Sequence, residues 1–373
     1  LSASPIRIGL IGLGDIAGRY IDTLKDAPGV RLVAGASSSP ERARSRRELG
    51  LPVQALDDLI ARDDLDLVLN LTPPRVHARI TRRALEAGKS VYSEKPLATT
   101  LEDAKAIAAL AEASGLVLAC APATFMGPAQ QTARQMIDAG ELGAVWGAAA
   151  TMVYPGPDLW HHDADRLFGP GAGVVMDMGV YDVTALVHLL GPVERVTAGG
   201  GRARVERAIR AGPRAGERFP VEALTHASAL LGFAGGATAT LTVSFDGPGA
   251  RRSELEIYGS RASLALPRSG EFSGPIQITR ALGVWDEQSP IFGWTEPSWA
   301  LGVLDTADAI RSGRAPRASA ATAIHVLETL LAIERSVVSG ATIEIASRPL
   351  RSDPMSAKAF DRLVSVATPE FTP

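Results

Sequence analysis

The chain has 373 residues, 46% hydrophobic and 21% charged, with a formal net charge of −3 at pH 7. That length suits two domains of about 100–200 residues each, and the balanced charge excludes the basic footprint that nucleic acid or an anionic membrane surface would require. One cysteine, Cys120, excludes internal disulfides and multi-thiolate metal sites. No apolar run reaches the roughly 18–20 residues of a spanning helix, and no charged-then-apolar signal segment opens the sequence, so a cytoplasmic location is expected. Leu1 to Ser4 carry no structural weight.

Ile6 to Leu13 reads as a buried strand running into Gly12-Leu13-Gly14-Asp15-Ile16-Ala17, after which Tyr20, Ile21 and Leu24 recur at helical spacing. In this G-x-G-x-x-A turn, Gly12 permits the bend, Gly14 lets backbone approach a pyrophosphate, and Ala17 keeps helix and strand close. The amides at the helix start, around Asp15 and Ile16, face the phosphates. Val30 to Ala36 is a second strand. An NAD site would place a carboxylate at its end to receive the ribose 2′-hydroxyl, and this sequence has Ser37-Ser38-Ser39 followed by Pro40-Glu41-Arg42. Small hydroxyls with Arg42 suit a 2′-phosphate, so NADP is expected ahead of NAD.

Leu65 to Asn70 gives another strand, then Leu71, Thr72 as N-cap, Pro73 at the first helical position, His77 in the first turn and Gly88 as stop. Ser90 to Ser93 leads into Glu94-Lys95-Pro96. The chain uses five lysines against thirty-three arginines, so Lys95 at a strand end points to a need for an amine, whose pKa burial can lower as it cannot a guanidinium's. Thr99-x-x-Glu102 reads as a capping box for a helix to Gly115, and Leu116 to Cys120 closes an alternating strand–helix unit, residues 1–121, of doubly wound parallel type. Gly12, Ser37, Thr72 and Lys95 all fall at carboxyl ends of strands, where such sheets bind ligands.

From residue 122 to 373 the pattern changes. A helix from Ala129 to Ala139 is followed by strand-like runs at 144–154, 224–233, 237–245, 254–258 and 262–266, which predict a second, α+β domain with an open, largely antiparallel sheet covered on one face. Gly199 to Arg218 reads as a mobile loop and the tail after Ser347 as irregular. A glycine run feeds Asp177 and Tyr181, four apart and on one face if helical, a carboxylate and a phenol able to bind and protonate a polyol. Trp160-His161-His162-Asp163-x-Asp165 has metal-ligand residue types, but no second element completes a set, and no metal is expected. His188, His226 and His325 read as core or interface residues. Ala320 to Val338 has helical periodicity.

With GLGDIA, NLTPPRVH, EKP and DMGVY in order, nearly the whole chain resembles the Gfo/Idh/MocA family of oxidoreductases. The resemblance implies an N-terminal Rossmann domain, a C-terminal domain whose sheet often forms a homodimer or homotetramer, and hydride transfer between NAD(P) and a hydroxyl carbon of a sugar, sugar derivative or cyclitol. It implies that Asn70, Leu71, Thr72, Pro73, His77 and Glu94 line the cofactor side. Lys95 would contact the nicotinamide ribose and the reacting hydroxyl, with Pro96 often in a cis peptide. Asp177 would bind substrate, with His161 as a further candidate. Many members carry a histidine where this chain has Tyr181, so the proton donor stays open between Tyr181 and Lys95. A free Lys or Tyr, with pKa about 10, is protonated at neutral pH; burial would lower the former and a neighbouring ammonium the latter. Two other readings share the fold: a glycoside hydrolase acting through transient oxidation by tightly held NAD, and a non-catalytic redox sensor.

Overall fold

The computed structural model describes residues 4–48, 50–251, 255–293 and 299–364. Leu1 to Ala3, Glu254, Pro369 and Pro373, named or spanned in the sequence analysis, lie outside the described residues. The chain divides into two compact units: Leu1–Met126 with Pro297–Ile324 and Ser352–Pro373, and Gly127–Glu296 with His325–Arg351.

The first unit is built on six parallel strands, β1 (Ile6–Ile11), β2 (Val30–Ala36), β3 (Val53–Gln54), β4 (Leu67–Asn70), β5 (Ser90–Ser93) and β6 (Leu118–Cys120), in the order β3-β2-β1-β4-β5-β6. Every pairing is parallel. Crossover helices α1 (Asp15–Leu24), α2 (Pro40–Glu48), α3 (Leu56–Ile60), α4 (His77–Glu86) and α5 (Leu101–Ala113) connect them. Because helices cover both faces, β4 and β5 are buried at every residue, which is why they read as short apolar runs. The order of strands reverses between β1 and β4, so ligands belong at that edge of the sheet.

Two caps differ from expectation. Thr100, one residue beyond the expected box, caps α5 by accepting from Asp103 N at 3.1 Å. Thr72 is no N-cap: its hydroxyl donates to Asn70, and Pro73 caps a single 3-10 turn, Pro74–Val76, before α4 starts at His77. The expected boundary at 121/122 also differs from the observed division, since Pro297–Ile324 returns to the first unit. There Gly302, on a helix spanning Leu301–Ser312, packs so closely on Tyr92 that a Cβ would lie 2.3 Å from its hydroxyl oxygen. Ser319 bridges to Ala119 beside β6.

The second unit carries β7 (Val145–Val153), β8 (Val193–Gly201), β9 (Glu206–Ala208), β10 (Arg218–Pro220), β11 (His226–Phe233), β12 (Thr238–Ser244), β13 (Leu255–Gly259), β14 (Ser263–Leu266), β15 (Gln277–Ala281), β16 (Val284–Glu287) and β17 (Ile343–Glu344). Nine of them form one sheet, β16-β15-β14-β13-β7-β12-β11-β8-β17, antiparallel except for β7 with β12. Along β12, Ala239, Leu241 and Val243 are buried while Thr238 and Thr240 are exposed, the period-two signature of a sheet covered on one face. Helices α6 (Pro128–Asp138) and α7 (Val180–Leu190) belong to this unit.

Gly199 to Arg218 is not the loop that its arginines and glycines suggest. It contains the end of β8 and the β9/β10 hairpin, pinned by Arg207, whose side chain is 1% exposed. The tail is likewise more regular than expected: Ala357–Val364 forms a helix burying Ala359, Phe360 and Leu363.

Candidate active site

In the first unit, the carboxyl ends of β1, β2, β4 and β5 gather the expected cofactor residues. Gly12 has φ +96, and a Cβ there would fall 2.6 Å from the Leu71 carbonyl, so only glycine fits between the two strand ends. Gly12 N donates to Ala36 O at 2.9 Å and Leu71 N to Ile11 O at 2.7 Å, which ties the three ends together. Gly14 is the N-cap of α1 without a side-chain cap bond, and Asp15 and Ile16 open the helix. Among the described residues, and apart from its own chain neighbours, a Cβ on Gly14 would meet the Arg42 guanidinium at 3.4 Å. The glycine turn and Arg42 therefore border the same space. Ser37 Oγ accepts from Ser39 N, and Ser39 Oγ from Arg42 N, which fixes the serine turn leading into α2, with Ser38 exposed.

Asn70 and His77 are fully buried and act as braces. The Asn70 amide donates to His77 O and Thr81 Oγ1, both at 3.1 Å, and its oxygen accepts from the Thr72 hydroxyl at 2.6 Å. The His77 ring spans the Pro96 carbonyl at 2.7 Å and the Thr72 carbonyl at 2.5 Å. Burial lowers the imidazole pKa, against the opposing effect of those carbonyls. The ring thus sits between the Leu71–Val76 loop, including Pro73, and the Glu94-Lys95-Pro96 loop; in its neutral form it donates to one of the two carbonyls and only packs against the other. Glu94 is held by the Tyr20 hydroxyl at 2.7 Å and accepts Lys95 N at 2.9 Å, and the Lys95–Pro96 peptide is cis. Cys120, close by, has its thiol pKa pushed well up by burial and is no nucleophile.

In the second unit, Gly173 at φ +93 precedes a π-helical turn, Val175–Gly179, that carries Asp177 into α7. Tyr181 stands on the first turn of α7. The expected simple α-helical spacing is replaced by a π turn, a device common at functional positions. Gly179 lies against Val243 of β12, which seats the turn on the covered face of the sheet.

Sequence reasoning missed Tyr154. It follows β7, packs edge-on against Phe245 with ring centroids 5.1 Å apart, and its phenol is held strongly protonated by burial and then by the charges of Asp177 and Asp158, with Tyr181 adding to them. A phenol held as a donor and feeling the charge of Asp177 adds a polar group suited to hydroxyl recognition. Its position at the end of a long strand just before Pro155-Gly156 was the available signal.

The following segment is anchored from beneath. Arg207 Nη1 donates to Asp158 Oδ1 at 2.6 Å and Pro155 O at 2.8 Å, and Nη2 to Asp246 Oδ1 at 2.7 Å and Phe245 O at 2.6 Å. Past that anchor, Trp160 is exposed and His161 stacks on His162, centroids 5.1 Å apart. His161 Nδ1 accepts from Asp163 N, so a neutral ring carries its proton on Nε2. Among the described residues no group of three or more His, Cys, Asp or Glu is placed to hold a metal ion. His188 and His325 are buried in structural bonds, to Gln131 and to Val193 N, while His226 is partly exposed beside Asp246.

A 3-2-1-4-5-6 parallel sheet with this glycine turn, joined in one chain to a sheet unit bearing a half-buried carboxylate and a buried phenol on a π turn and the helix after it, has the makings of an NAD(P)-dependent oxidoreductase. The family model described as "Oxidoreductase family, NAD-binding Rossmann fold" matches residues 6–121, and that of the GFO/IDH/MocA C-terminal domain matches residues 130–265. The chain belongs to the Gfo/Idh/MocA family.

The chain is 31% identical over 294 residues to a dTDP-3,4-didehydro-2,6-dideoxy-alpha-D-glucose 3-reductase of Saccharopolyspora spinosa, over 76% of this chain and 82% of that protein. The enzyme of the same name from Actinomadura kijaniata is 35% identical over 193 residues, 51% of this chain and 58% of its own length. It is 25% identical to the scyllo-inositol 2-dehydrogenase (NAD(+)) of Bacillus subtilis, over 91% of this chain and 96% of that protein. The crystal structure of an oxidoreductase domain protein from Kribbella flavida superposes with a TM-score of 0.80 at 26% identity, covering 92% of this chain and all of that one. Family and relatives together make this an enzyme that exchanges hydride between NAD(H) or NADP(H) and a hydroxyl or ketone carbon of a sugar, sugar derivative or cyclitol.

Proposed function

We propose that this chain is an NADP-preferring dehydrogenase or reductase of a pyranose-like substrate, with Lys95, Asp177 and Tyr181 handling the reacting hydroxyl. The carrying observation is Asp177 on its π turn and Tyr181 on the first turn of α7, both acting electrostatically on Tyr154: one carboxylate to accept, and phenols to donate, around a polyol. When bound, the nicotinamide group supplies the hydride acceptor or donor. Gly12, Gly14 and the start of α1 at Asp15 and Ile16 hold its pyrophosphate. Leu71, Thr72 and Pro73 form the wall that His77 and Asn70 brace, and Glu94 orients the Lys95 backbone. Moving hydride off a secondary alcohol requires its hydroxyl proton to leave, and a base within about 2.6–3.2 Å must take it. Either Tyr181 or Lys95 takes that proton. Asp177, and His161 on its outer turn, bind substrate hydroxyls.

The NADP preference rests on Arg42 facing the glycine turn and on the absence of a carboxylate among Ser37, Ser38 and Ser39. Fluorescence titration of NADPH and NADH against the parent and Ser37→Asp tests it. The expected result is a shift of the affinity ratio towards NADH; an unchanged ratio removes the assignment. Lys95→Met, assayed on a panel of aldoses, sugar nucleotides and inositols, is expected to lose at least a hundredfold in kcat with NADPH affinity within a few-fold. Turnover near the parent's would sink the role. Glycoside cleavage without accumulated reduced cofactor would favour the hydrolase chemistry that other chains of this fold could support.

The outer face of the nine-stranded sheet exposes Trp146 and Leu230 among threonines, and we infer a homodimer or homotetramer through that face. Leu230→Arg with light scattering tests it: dissociation is expected, and an unchanged mass in the variant refutes it. Among the described residues no helix is long and apolar enough to cross a membrane. A single buried thiol fits the reducing cytoplasm.

A further inference from the structure

After β14 the second unit makes a tight turn, Pro267 to Gly274, closed by Glu271 N donating to Arg268 O at 2.9 Å and by the Arg268–Glu271 ion pair. Two helices hold this turn. From α6, Gln130 Nε2 donates to Ser269 O at 3.3 Å. Just before α6, Gly127 packs so closely that a Cβ there would lie 1.9 Å from Phe272 O. From α7, Asp182 Oδ1 accepts the Ser269 hydroxyl. Gln130, Ser269 and Asp182 are 1%, 1% and 3% exposed.

Between these ties stands Gly270. A Cβ on it would be 3.9 Å from Cγ and Cδ1 of Tyr181, so the backbone of the turn lies on the Tyr181 ring. The tie to Asp182 is expensive. Its second oxygen, Oδ2, has no hydrogen-bond partner among the described residues, and neither has Gln130 Oε1. Burying a carboxyl with one oxygen unmatched costs free energy that an apolar side chain at this helix position would not. That cost is offset only if the group does something an apolar one could not, and the geometry shows one such role, the holding of Ser269.

We propose that Asp182 is a positioning residue which, through Ser269, clamps the Pro267–Gly274 turn onto the ring of Tyr181 and so fixes where the Tyr181 hydroxyl points. The catalytic meaning of that direction rests on the reading of Tyr181 given above; the clamp itself does not.

The test is ¹⁹F NMR of the full chain with 3-fluorotyrosine at its five tyrosines, Tyr181 being assigned by the line lost in Tyr181→Phe. Asp182→Asn keeps an acceptor for the Ser269 hydroxyl and is expected to leave the Tyr181 line in place. Asp182→Ala and Ser269→Ala are expected to move or broaden it, while the lines of Tyr20, Tyr92 and Tyr258 stay. Ser269→Ala removes one hydroxyl without touching the helix, and it decides the matter should Asp182→Ala not fold. An unmoved Tyr181 line in Ser269→Ala overturns the proposal. So does a shift of all five lines together, or a shift in Asp182→Asn as large as in Asp182→Ala. On any sugar that the parent reduces or oxidises, Ser269→Ala is expected to lower kcat about tenfold with KM within twofold, and Asp182→Asn to retain kcat. A parent inactive on every sugar and inositol would refute the functional reading and leave the NMR result to judge the clamp.

Discussion

Replacing Arg207 by methionine is the sharpest perturbation of the substrate unit. The change keeps a long apolar stem to pack on Phe168 but withdraws the donors that serve two carboxylates, Asp158 and Asp246, and two carbonyls, Pro155 and Phe245. Asp158 and the guanidinium are almost completely buried, so the case is that of a buried pair broken from one side, which costs about 3–5 kcal/mol. The unit holds roughly 200 residues, for which each kcal/mol moves the melting midpoint by about 2–4 °C. The expected drop at pH 7 is therefore about 6–20 °C.

The pH dependence of this effect has a defined sign. Burial pushes the Asp246 carboxyl up, but hydrogen bonds from Thr225, Arg207 and His226 outweigh it and hold its pKa below the usual value. A depressed folded pKa gives stability that is present above the unfolded value of about 3.9 and lost as pH falls through the folded one. The difference between parent and Arg207→Met should then be widest near neutrality and shrink as pH falls below about 4 and through the depressed folded pKa of Asp246. Calorimetric or circular-dichroism melts from pH 3 to 8 measure it. A variant within 1 kcal/mol of the parent at pH 7, or a gap independent of pH, would refute the reasoning.

Asp182 predicts the opposite slope. Burial raises its pKa to about 7, so its contribution is full below the unfolded value and is lost as pH climbs from about 4 to 7. A rise of that size corresponds to about 4 kcal/mol. Asp182→Asn should match the parent near pH 4 and exceed it at pH 8; parallel stability curves would contradict the assignment. Gly12→Ala must hold a left-handed φ, at about 1–2 kcal/mol, and displace the Leu71 carbonyl, at about 1–3 kcal/mol more. It should melt several degrees lower and lose NADPH binding. Gly14→Ala, at φ −76 with only Arg42 near, should melt like the parent and lose NADPH affinity alone; equal melting losses in both would show that the turn is not packed as described.

The strand ends of the first unit were legible because each signal is local: a glycine fingerprint, a serine turn, a proline after a strand. Local chemistry also explains the near misses. Thr99, Thr100, Glu102 and Asp103 offer two overlapping capping pairs, and only the geometry of the preceding turn selects Thr100 with Asp103. Arg207 looked like one arginine of a charged loop, since nothing adjacent in sequence announces that Asp158 and Asp246, 49 and 39 residues away, converge on it. Gly302 against Tyr92 is a contact across two hundred residues of intervening chain, and periodicity carries no record of it. Tyr154 was overlooked because its importance comes from neighbours contributed by α7 and the π turn, far from it along the chain. The hydride-transfer class followed from motifs whose parts are short and ordered.

The seat of His77 between two loops has a thermodynamic consequence. Freezing a flexible backbone residue costs about 1–2 kcal/mol, and a loop that orders only on binding draws that cost from the ligand's affinity. Here the Thr72 and Lys95 loops already pack against one buried ring, with Asn70 bracing the first, so the ordering cost is met when the protein folds. On the cofactor placement proposed above, exchange leaves that wall standing, and successive turnovers meet the same surface.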